Sequence, residues 1–318
     1  MTTQQAIKEI QNKFDVNAIF AYRVYSLADK KNLFEDVAKI IAEKPKPFVK
    51  WVGGKRQLLA QFRKLNLYPP ELFDIKTGKY FEPFVGGGAV FFDLLPEKGF
   101  LSDLNKELVT TYNVIKNDVD GLIASLKKHK TDKEYFIKIR AQDPNNLSDL
   151  NVASRFIFLN RTCFNGMYRV NSKGGFNVPY GKYTNPLICD EDNLKKVNKA
   201  LQGIEIKHQD YKEVLKKAKN GDFVYFDPPY YPVSKTASFT SYTAESFLDK
   251  QQIELRDTVL ELHKRGCYVM LSNSDTPFIN KIYSGFKGIR INKVEAGRAI
   301  NSKGSGRGKI TEVLITNY

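Results

Sequence analysis

The sequence has few of the residues that build disulfide frameworks or metal sites. Among 318 residues there are only three cysteines and three histidines. Cys163, Cys189 and Cys267 form no C-x-x-C pair, and no histidines are spaced as metal ligands. No apolar run approaches the roughly 20 residues of a membrane span, and no signal peptide opens the chain. We therefore expect a reduced, cytoplasmic protein that has no structural metal and does not associate with a membrane.

Negative charge is also in short supply. The chain has 35 acidic residues against 50 lysines and arginines, which gives a formal net charge of +15. Such an excess creates a positive surface potential and predicts an anionic partner. Nucleic acid fits better than a membrane surface, because the sequence has no segment suited to a membrane. The charge alone also fits a merely soluble basic protein.

The apolar pattern divides the chain into three parts. Residues 1–46 have apolar positions at helical spacing and end in a proline-containing segment, which predicts a small helical extension. Residues 47–117 and 202–318 contain short apolar runs that alternate with longer amphipathic stretches, as is typical of an α/β sheet. Residues 118–201 lack strand-like runs except near GGFNVPYGKY, which predicts an inserted, mostly helical domain with a hairpin.

Basic residues are concentrated around this insert. Between residues 151 and 220 there are 13 lysines and arginines against 6 acidic residues. We therefore expect the anionic partner to meet the insert. A second basic stretch, NSKGSGRGK at 301–309, is rich in glycine and serine and predicts a mobile loop.

A glycine-rich turn and an acidic residue suggest a nucleoside site. Gly86, Gly87 and Gly88 follow a predicted strand and precede an apolar helix, where a ligand can approach the backbone. The turn departs from G-x-G-x-x-G, which argues against a pyrophosphate ligand. Asp103 ends the next predicted strand and can accept the hydroxyl protons of a ribose, although it also fits a helix N-cap. The pattern favours adenosine with a non-phosphate tail.

Four more residues complete the predicted cofactor half. In KWVGGK, Trp51 can cover a nucleoside and Lys55 can meet a carboxylate, although the segment also fits a turn with a surface lysine. Asp210, at the end of the third predicted strand, can accept a hydrogen bond from an adenine amino group. Tyr211 can stack beside that base.

The sharpest motif is FVYFDPPYY. A buried strand delivers Asp227, Pro228 and Tyr230 to the sheet edge where ligands bind in open α/β folds. Asp227 and the Pro228 carbonyl can each accept one hydrogen of an aryl amine and so localise its lone pair. Tyr230 can stack on an extruded base. These residues predict catalysis at an exocyclic amine, although the four-residue segment DPPY alone also fits a tight proline loop.

The motif order is KWVGGK, FEPFVGGG, SDLN, a basic insert, DPPY and SNSD. In this order the sequence resembles the Dam-type adenine-N6 DNA methyltransferases of the α group, especially the DpnM-like enzymes of GATC restriction-modification systems. The likeness covers Pro47 to Tyr318. It implies a Rossmann-like S-adenosylmethionine-dependent methyltransferase fold with an antiparallel strand near the C-terminus and an inserted target-recognition domain. It also implies that Trp51, Lys55, Asp103 and Asp227 bind S-adenosylmethionine.

The same resemblance implies how duplex DNA containing GATC would be read. Lys50 would reach the first guanine, Met167 and Pro179 would touch a thymine methyl, and Arg169 would read the outer guanine. Phe164 would be the wedge that fills the gap left by a flipped-out adenine. Backbone or adjacent-base contacts would come from Asn165, Asn171, Asn177 and Tyr183.

Two other functions stay open at this point. A cytosine-N4 methyltransferase shares the chemistry, but such enzymes more often have Ser-Pro-Pro-Tyr, so Asp227 favours adenine. A non-catalytic DNA-binding regulator with this fold is the alternative from another class. The expected location is the cytoplasm of a bacterial or phage-infected cell, in association with the nucleoid. Residues 1–46 have no counterpart in the family pattern, so they form either a packed extension or a contact with DNA or a partner protein.

Overall fold

The computed structural model describes residues 1–172, 174–233, 247–297 and 309–318. The family-like segment SFTSYT at 238–243 lies outside these ranges, as does the predicted basic loop at 301–309 apart from Lys309. Within the described ranges, no helix combines the length and the apolarity needed to cross a membrane.

The described chain is built from helices and strands, with several helices in succession both before the first strand and between the second and third strands. The helices are α1 Thr3–Phe14, α2 Ala18–Leu27, α3 Leu33–Ala42, α4 Arg56–Lys64, α5 Ala89–Leu94, α6 Lys106–Asn117, α7 Val119–Leu126, α8 Lys133–Arg140, α9 Asp149–Thr162, α10 Glu191–Ala200, α11 Asp249–Lys264 and α12 Pro277–Tyr283. The strands are β1 Tyr80–Glu82, β2 Gly99–Asp103, β3 Ile204–His208, β4 Phe223–Phe226, β5 Tyr268–Ser274, β6 Arg290–Gly297 and β7 Lys309–Thr316. Short 3₁₀ helices cover Pro144–Asn146, Phe164–Gly166 and Tyr211–Lys216.

In the described residues the strands form one sheet in the order β3-β2-β1-β4-β5-β7-β6. Strands β1 to β5 run parallel, and β7 pairs antiparallel with both β5 and β6. The chain moves outward from β1 to β2 and β3 and then returns to β4, so the strand order reverses between β1 and β4. A crevice that can hold a ligand forms at such a reversal. The predicted Rossmann-like fold with a late antiparallel strand is confirmed.

Strand β4 is buried on both faces of the sheet. Phe223 and Tyr225 belong to the hydrophobic cluster that includes α4, α5 and α6. Val224 and Phe226 belong to the cluster on the opposite face, which includes α11 and α12. Successive residues of a strand point to opposite faces, and a strand covered on both faces is apolar throughout. The run FVYF therefore ends in a fixed position at the ligand-binding edge.

Helices α7 to α10 occupy the predicted insert. Apolar residues of these helices, such as Phe158 and Leu194, share one cluster with α6. The hairpin-like stretch contains two isolated bridges, which pair Cys163 with Tyr180 and residue 170 with residue 176. The mostly helical content agrees with the sequence, while the bounds 118–201 of a separate domain stay a prediction.

The extension formed by α1, α2 and α3 packs around a small apolar cluster of its own. It is joined to α5 through the carboxylate of Asp93, which is 9% exposed. This carboxylate accepts a hydrogen bond from Asn17 Nδ2 at 3.1 Å. It also pairs with Lys44 Nζ at 2.9 Å and with Arg63 Nη1 at 3.1 Å. The geometry is that of a packed helical extension.

We predict that Asp93→Ala loosens this extension, because it leaves the mostly buried charge of Lys44 without a carboxylate and leaves Arg63 only the exposed carboxylate of Asp15. Removing one partner of a buried ion pair costs about 3–5 kcal/mol, and this site retains some solvent contact, so we expect a loss of about 2–4 kcal/mol. Urea unfolding measures this loss, and limited proteolysis within residues 1–46 detects the release of the extension.

The control variant is Glu43→Ala, which removes the 67% exposed partner of Lys196. Exposed pairs contribute little, so its unfolding midpoint should stay at the wild-type value. Equal losses in the two variants would show that Asp93 has no special part in holding the extension.

Candidate functional site

A cleft of about 2070 Å³ opens where the parallel strands end. Its walls include the loops after β1, β2, β3 and β4, the segment that precedes α4 and part of the insert. The structure brings every predicted cofactor-binding and catalytic residue to this cleft. These residues are Trp51, Lys55, Gly86, Gly88, Asp103, Asp210, Tyr211, Asp227, Pro228 and Tyr230.

The glycine turn requires glycine for two reasons. Gly86 and Gly88 have φ values of 46° and 68°, in the left-handed region that side chains rarely adopt. In addition, a Cβ atom on Gly86 would lie 2.6 Å from Nε1 of Trp51. Trp51 therefore packs directly against the turn, and any bulkier residue at 86 would displace it.

Asp103 connects the ends of β1 and β2. One carboxylate oxygen accepts the Gly86 N–H at 3.0 Å, and the other accepts the Asn105 N–H at 2.9 Å. Burial raises the pKa of Asp103, and these backbone hydrogen bonds oppose the rise. The N-cap of α6 is Asn105, whose side chain accepts the Leu108 N–H. The N-cap interpretation of Asp103 is therefore wrong, and its carboxylate keeps acceptor positions for a ligand.

Lys55 is buried and meets a carboxylate of the protein itself. Its Nζ lies 2.7 Å from Oδ1 of Asp227, and its side chain is 5% exposed. Burial raises the pKa of Asp227, whereas the Lys55 charge and hydrogen bond lower it. The same ammonium lies 4.8 Å from the ring centre of Tyr230. The turn with a surface lysine is therefore excluded.

Residues that the sequence did not single out hold the DPPYY loop. The Tyr230 hydroxyl donates to Glu312 of β7 at 2.8 Å. Gln252 of α11 donates to the Pro229 carbonyl at 3.0 Å and accepts from Asn273 of β5 at 2.9 Å. Asn273 lies in the SNSD segment, so the motif marked the region but not this contact. The loop is thus supported from β5, β7 and α11.

Asp210 and Tyr211 flank the other side of the cleft. Asp210 caps the 3₁₀ helix Tyr211–Lys216 by accepting the Lys212 N–H at 2.8 Å. The Tyr211 ring is buried and stacks on Phe84 with 5.3 Å between ring centres. Phe84, in FEPF after β1, lines the cleft and was missed because an apolar residue beside a strand reads as core. The aromatic wall here consists of Phe84, Tyr211 and Phe247, whose ring centre lies 5.9 Å from that of Phe84 and 6.0 Å from that of Tyr211.

Glu82 is a further acidic residue of the cleft that the sequence did not reveal. It ends β1, is 2% exposed, and its Oε2 accepts hydrogen bonds from the Tyr80 hydroxyl at 2.8 Å and the Phe91 N–H at 3.1 Å. Burial raises its pKa to about 8. Its place within FEPF, just before the glycine turn, is the only signal in the sequence.

Lys50 joins the cleft to the hairpin. Buried Asn160 of α9 accepts the Lys50 N–H at 2.8 Å, and its Nδ2 donates to the carbonyls of Lys50 at 2.8 Å and Gly166 at 2.9 Å. A Cβ atom on Gly166 would lie 2.5 Å from the Lys50 side chain. The Lys50 ammonium lies 4.7 Å from the ring centre of Tyr183. Two of the predicted DNA-binding residues therefore meet, and Asn160 was missed.

Three more predicted DNA-binding residues lie around the 3₁₀ helix Phe164–Gly166. The Phe164 side chain is 51% exposed, and its N–H donates to the Pro179 carbonyl at 2.8 Å. Asn165 is exposed and has a φ of 55°. An exposed phenylalanine beside the exposed Asn165 fits the predicted wedge, which stays a prediction.

The remaining predicted residues lie farther along the hairpin. Arg169 is exposed, and its Nε donates to Oδ1 of Asn177 at 2.7 Å. Asn171 is exposed and its N–H donates to the Gly175 carbonyl at 2.9 Å. Met167 is half-buried against the main hydrophobic cluster. The structure thus keeps these residues on one hairpin and leaves their reading of bases a prediction.

Comparisons with known proteins agree with this geometry. A family model described as D12 class N6 adenine-specific DNA methyltransferase matches residues 51–299. The chain is 44% identical over 281 residues to the type II methyltransferase M1.LlaDCHI of Lactococcus lactis subsp. cremoris, which covers 86% of this chain and 95% of that protein. It is 48% identical over 291 residues to the type II methyltransferase M.MjaIII of Methanocaldococcus jannaschii, covering 86% and 99%. It is 34% identical over 277 residues to a DNA adenine methylase of Vibrio cholerae, covering 86% and 96%.

We predict that Glu82 makes the stability of the ligand-free protein depend on pH. Its pKa is about 8 in the folded chain against an ordinary value of 4.5. Between these values the folded state holds a proton that the unfolded state has lost, so stability falls as the pH rises through this window. The Glu82→Gln variant cannot ionise at this position. The difference between its free energy of unfolding and that of wild type should therefore increase from about pH 5 to about pH 8.

Urea unfolding of both proteins at the two pH values measures this difference. The matched control is Glu71→Gln, the same change at an exposed position. Its difference from wild type should be the same at both pH values. If the difference for Glu82→Gln were also constant, Glu82 would be ionised throughout this range.

Proposed function

The chain belongs to the D12 class of N6-adenine-specific DNA methyltransferases, and on that premise we propose that its target is the adenine of GATC in duplex DNA. The enzyme transfers a methyl group from S-adenosylmethionine to the N6 atom of adenine. The observation that carries the GATC proposal is the hairpin stretch from Phe164 to Tyr183. Its segments FNG, RVN and FNVPYG resemble the family's recognition element, and its predicted DNA-binding side chains adjoin Lys50 at the mouth of the cleft.

The two alternative functions lose their support. The family is specific for adenine, so a cytosine-N4 methyltransferase is not supported. Asp227 stands where cytosine-N4 enzymes more often have serine, and it already favoured adenine. A non-catalytic regulator would not require Asp227 to be paired with a buried lysine at the edge of the cleft. Catalysis of adenine methylation therefore agrees with both the family of the chain and the geometry of the cleft.

The donors and acceptors of the cleft fit S-adenosylmethionine. This cofactor supplies a methyl group on a positively charged sulfur. Asp103 and Asp227 give the cleft negative charge that suits a cationic ligand. Asp103 retains acceptor positions for ribose hydroxyls, and the left-handed glycine turn lets the ligand approach the backbone. We assign to the cofactor Trp51, Lys55, Gly86, Gly88, Asp103, Asp210, Tyr211 and Asp227.

The catalytic residues act on the amine of a flipped-out adenine. Asp227 accepts one amino hydrogen and the Pro228 carbonyl accepts the other, which localises the nitrogen lone pair for attack. Tyr230, held by Glu312, stacks on the base and fixes its plane. Burial raises the pKa of Asp227, and Lys55 opposes this rise and so favours the ionised, accepting form. Rate acceleration therefore depends mainly on positioning.

We predict that Asp227→Ala lowers the rate of methyl transfer by about 100-fold or more, the usual loss when one group that stabilises the transition state is removed. Single-turnover transfer of labelled methyl groups to DNA at saturating cofactor measures this rate. The control is Asp249→Ala, which removes a carboxylate that accepts a hydrogen bond from Tyr231 of the same loop at 3.0 Å. That variant should transfer methyl groups at close to the wild-type rate, and a similar rate for Asp227→Ala would refute the mechanism.

Base reading is assigned to the hairpin and to Lys50. Arg169 has a planar guanidinium that can meet O6 and N7 of guanine together, and Asn177 holds it at 2.7 Å. Phe164 supplies the exposed ring for the gap left by the flipped base. Lys50 reads the first guanine, while Met167 and Pro179 contact a thymine methyl. Asn165, Asn171, Asn177 and Tyr183 contact the backbone or adjacent bases.

We predict that genomic DNA from cells that express the enzyme carries N6-methyladenine at GATC, and that Arg169→Ala relaxes selectivity at an outer position. One bidentate contact discriminates against a wrong base by about 1–3 kcal/mol. Long-read sequencing that detects methyladenine shows the target of each form.

The matched control is Arg290→Ala. This arginine is exposed and begins β6, which forms the edge of the sheet farthest from β3. The control variant should methylate the wild-type target. Methyladenine confined to another sequence in the wild type would overturn the GATC assignment. An unchanged motif with uniformly weaker methylation in Arg169→Ala would make Arg169 a phosphate contact instead.

A further inference from the structure

Tyr168 lies between two residues assigned to base reading, but its side chain is directed toward the cofactor half. Met167 has the extended backbone of a strand, in which neighbouring side chains point to opposite sides. Arg169 is exposed on the hairpin, whereas Tyr168 lines the cleft together with Trp51 and Asp103. One short segment therefore faces DNA with one set of side chains and the cofactor site with another.

The ring of Tyr168 packs on the residue that supports the glycine turn. It stacks on Trp51 with 6.0 Å between ring centres and an angle of 23° between the planes. The ring of Phe156 in α9 also contacts the Tyr168 ring, with 5.3 Å between the ring centres. Trp51 in turn fills the space beside Gly86, where an added Cβ atom would lie within 2.6 Å of it. A shift of the hairpin therefore moves the support of the glycine turn.

The hydroxyl of Tyr168 is fixed by a buried ionic network. It donates to Glu107 Oε1 at 2.9 Å, and Glu107 Oε2 accepts from Arg155 at 2.6 Å. Arg155 is 2% exposed. Glu107 lies in the first turn of α6, whose N-cap Asn105 donates its N–H to Asp103. The hydroxyl is thus held at the helix that begins directly after the carboxylate assigned to the ribose.

We propose that Tyr168 is the positioning residue that couples base reading by the hairpin to cofactor binding. The inference rests on the proposed function, because it takes the hairpin to be the DNA-reading element. DNA that fits the hairpin fixes Met167 and Arg169, and so sets Tyr168 against Trp51 and Glu107. By linkage, the target duplex increases the affinity for the cofactor by the same factor by which the cofactor increases the affinity for that duplex.

The test uses S-adenosylhomocysteine as an unreactive probe and a duplex that wild-type enzyme has first been shown to methylate, whatever its sequence. Calorimetry gives the dissociation constant of the probe without DNA and with saturating duplex. For wild type we expect the target duplex to tighten probe binding about fivefold or more, the lower end of usual coupling. Tyr168→Phe removes only the hydroxyl, so we expect a ratio close to one, with probe affinity in the absence of DNA unchanged and the melting temperature lowered only by the loss of one hydrogen bond.

The matched control is Tyr180→Phe, the same change on the same hairpin. The Tyr180 hydroxyl donates to the Thr131 carbonyl at 2.7 Å, within the insert and away from the cofactor residues. This variant should keep the wild-type ratio. The affinity of each protein for the target duplex, with and without the probe, should change by the same factor as the calorimetric ratio.

Three results would overturn the proposal. They are a wild-type ratio of one, an unchanged ratio in Tyr168→Phe, and equal losses in Tyr168→Phe and Tyr180→Phe. The choice of duplex separates this test from the target assignment, since methylation of a sequence other than GATC would refute that assignment and leave the coupling measurable.

Discussion

The ion pair between Lys55 and Asp227 is the contact on which the arrangement of the cleft depends. It joins the segment before α4 to the end of β4, two parts of the chain that are far apart in sequence. A carboxylate in this position loses solvation, and burial alone would shift it toward the protonated form, which is a poor acceptor for an amine hydrogen. The neighbouring ammonium opposes that shift. The counter-charge that favours ionised Asp227 therefore comes from a different motif, KWVGGK.

The sheet explains why these two motifs meet. Its order reverses between β1 and β4, so the glycine turn after β1 lies beside the loop that carries Asp227 after β4. Strand β2 brings Asp103 to the other side of the glycine turn, close enough to accept the Gly86 N–H. The residues that we assign to the cofactor thus surround the end of β1, and the loop that we propose as catalytic lies next to them. Methyl transfer needs this proximity more than it needs acid or base catalysis.

Two other buried charges attach the additional parts of the chain to this centre. Asp93 joins the helical extension to α5, which follows the glycine turn, and Glu107 joins Arg155 of the insert to α6, which follows Asp103. Each buried carboxylate has a cation within 3.1 Å, which offsets the cost of its desolvation. The extension and the insert are therefore both anchored to helices that begin directly after the glycine turn and Asp103.

The sequence by itself determined the local structures whose cause is local. The apolar run FVYF predicts a strand buried on both faces, three glycines predict a left-handed turn, and two prolines fix the loop after Asp227. Only the tertiary structure decided which side chains meet there. Glu82, Phe84 and Asn160 look like ordinary strand or helix residues in the sequence, and Tyr168 looks like one more aromatic residue. Their importance arises from contacts between segments that the fold brings together, and the distance between two such segments is not encoded in the neighbours of either residue.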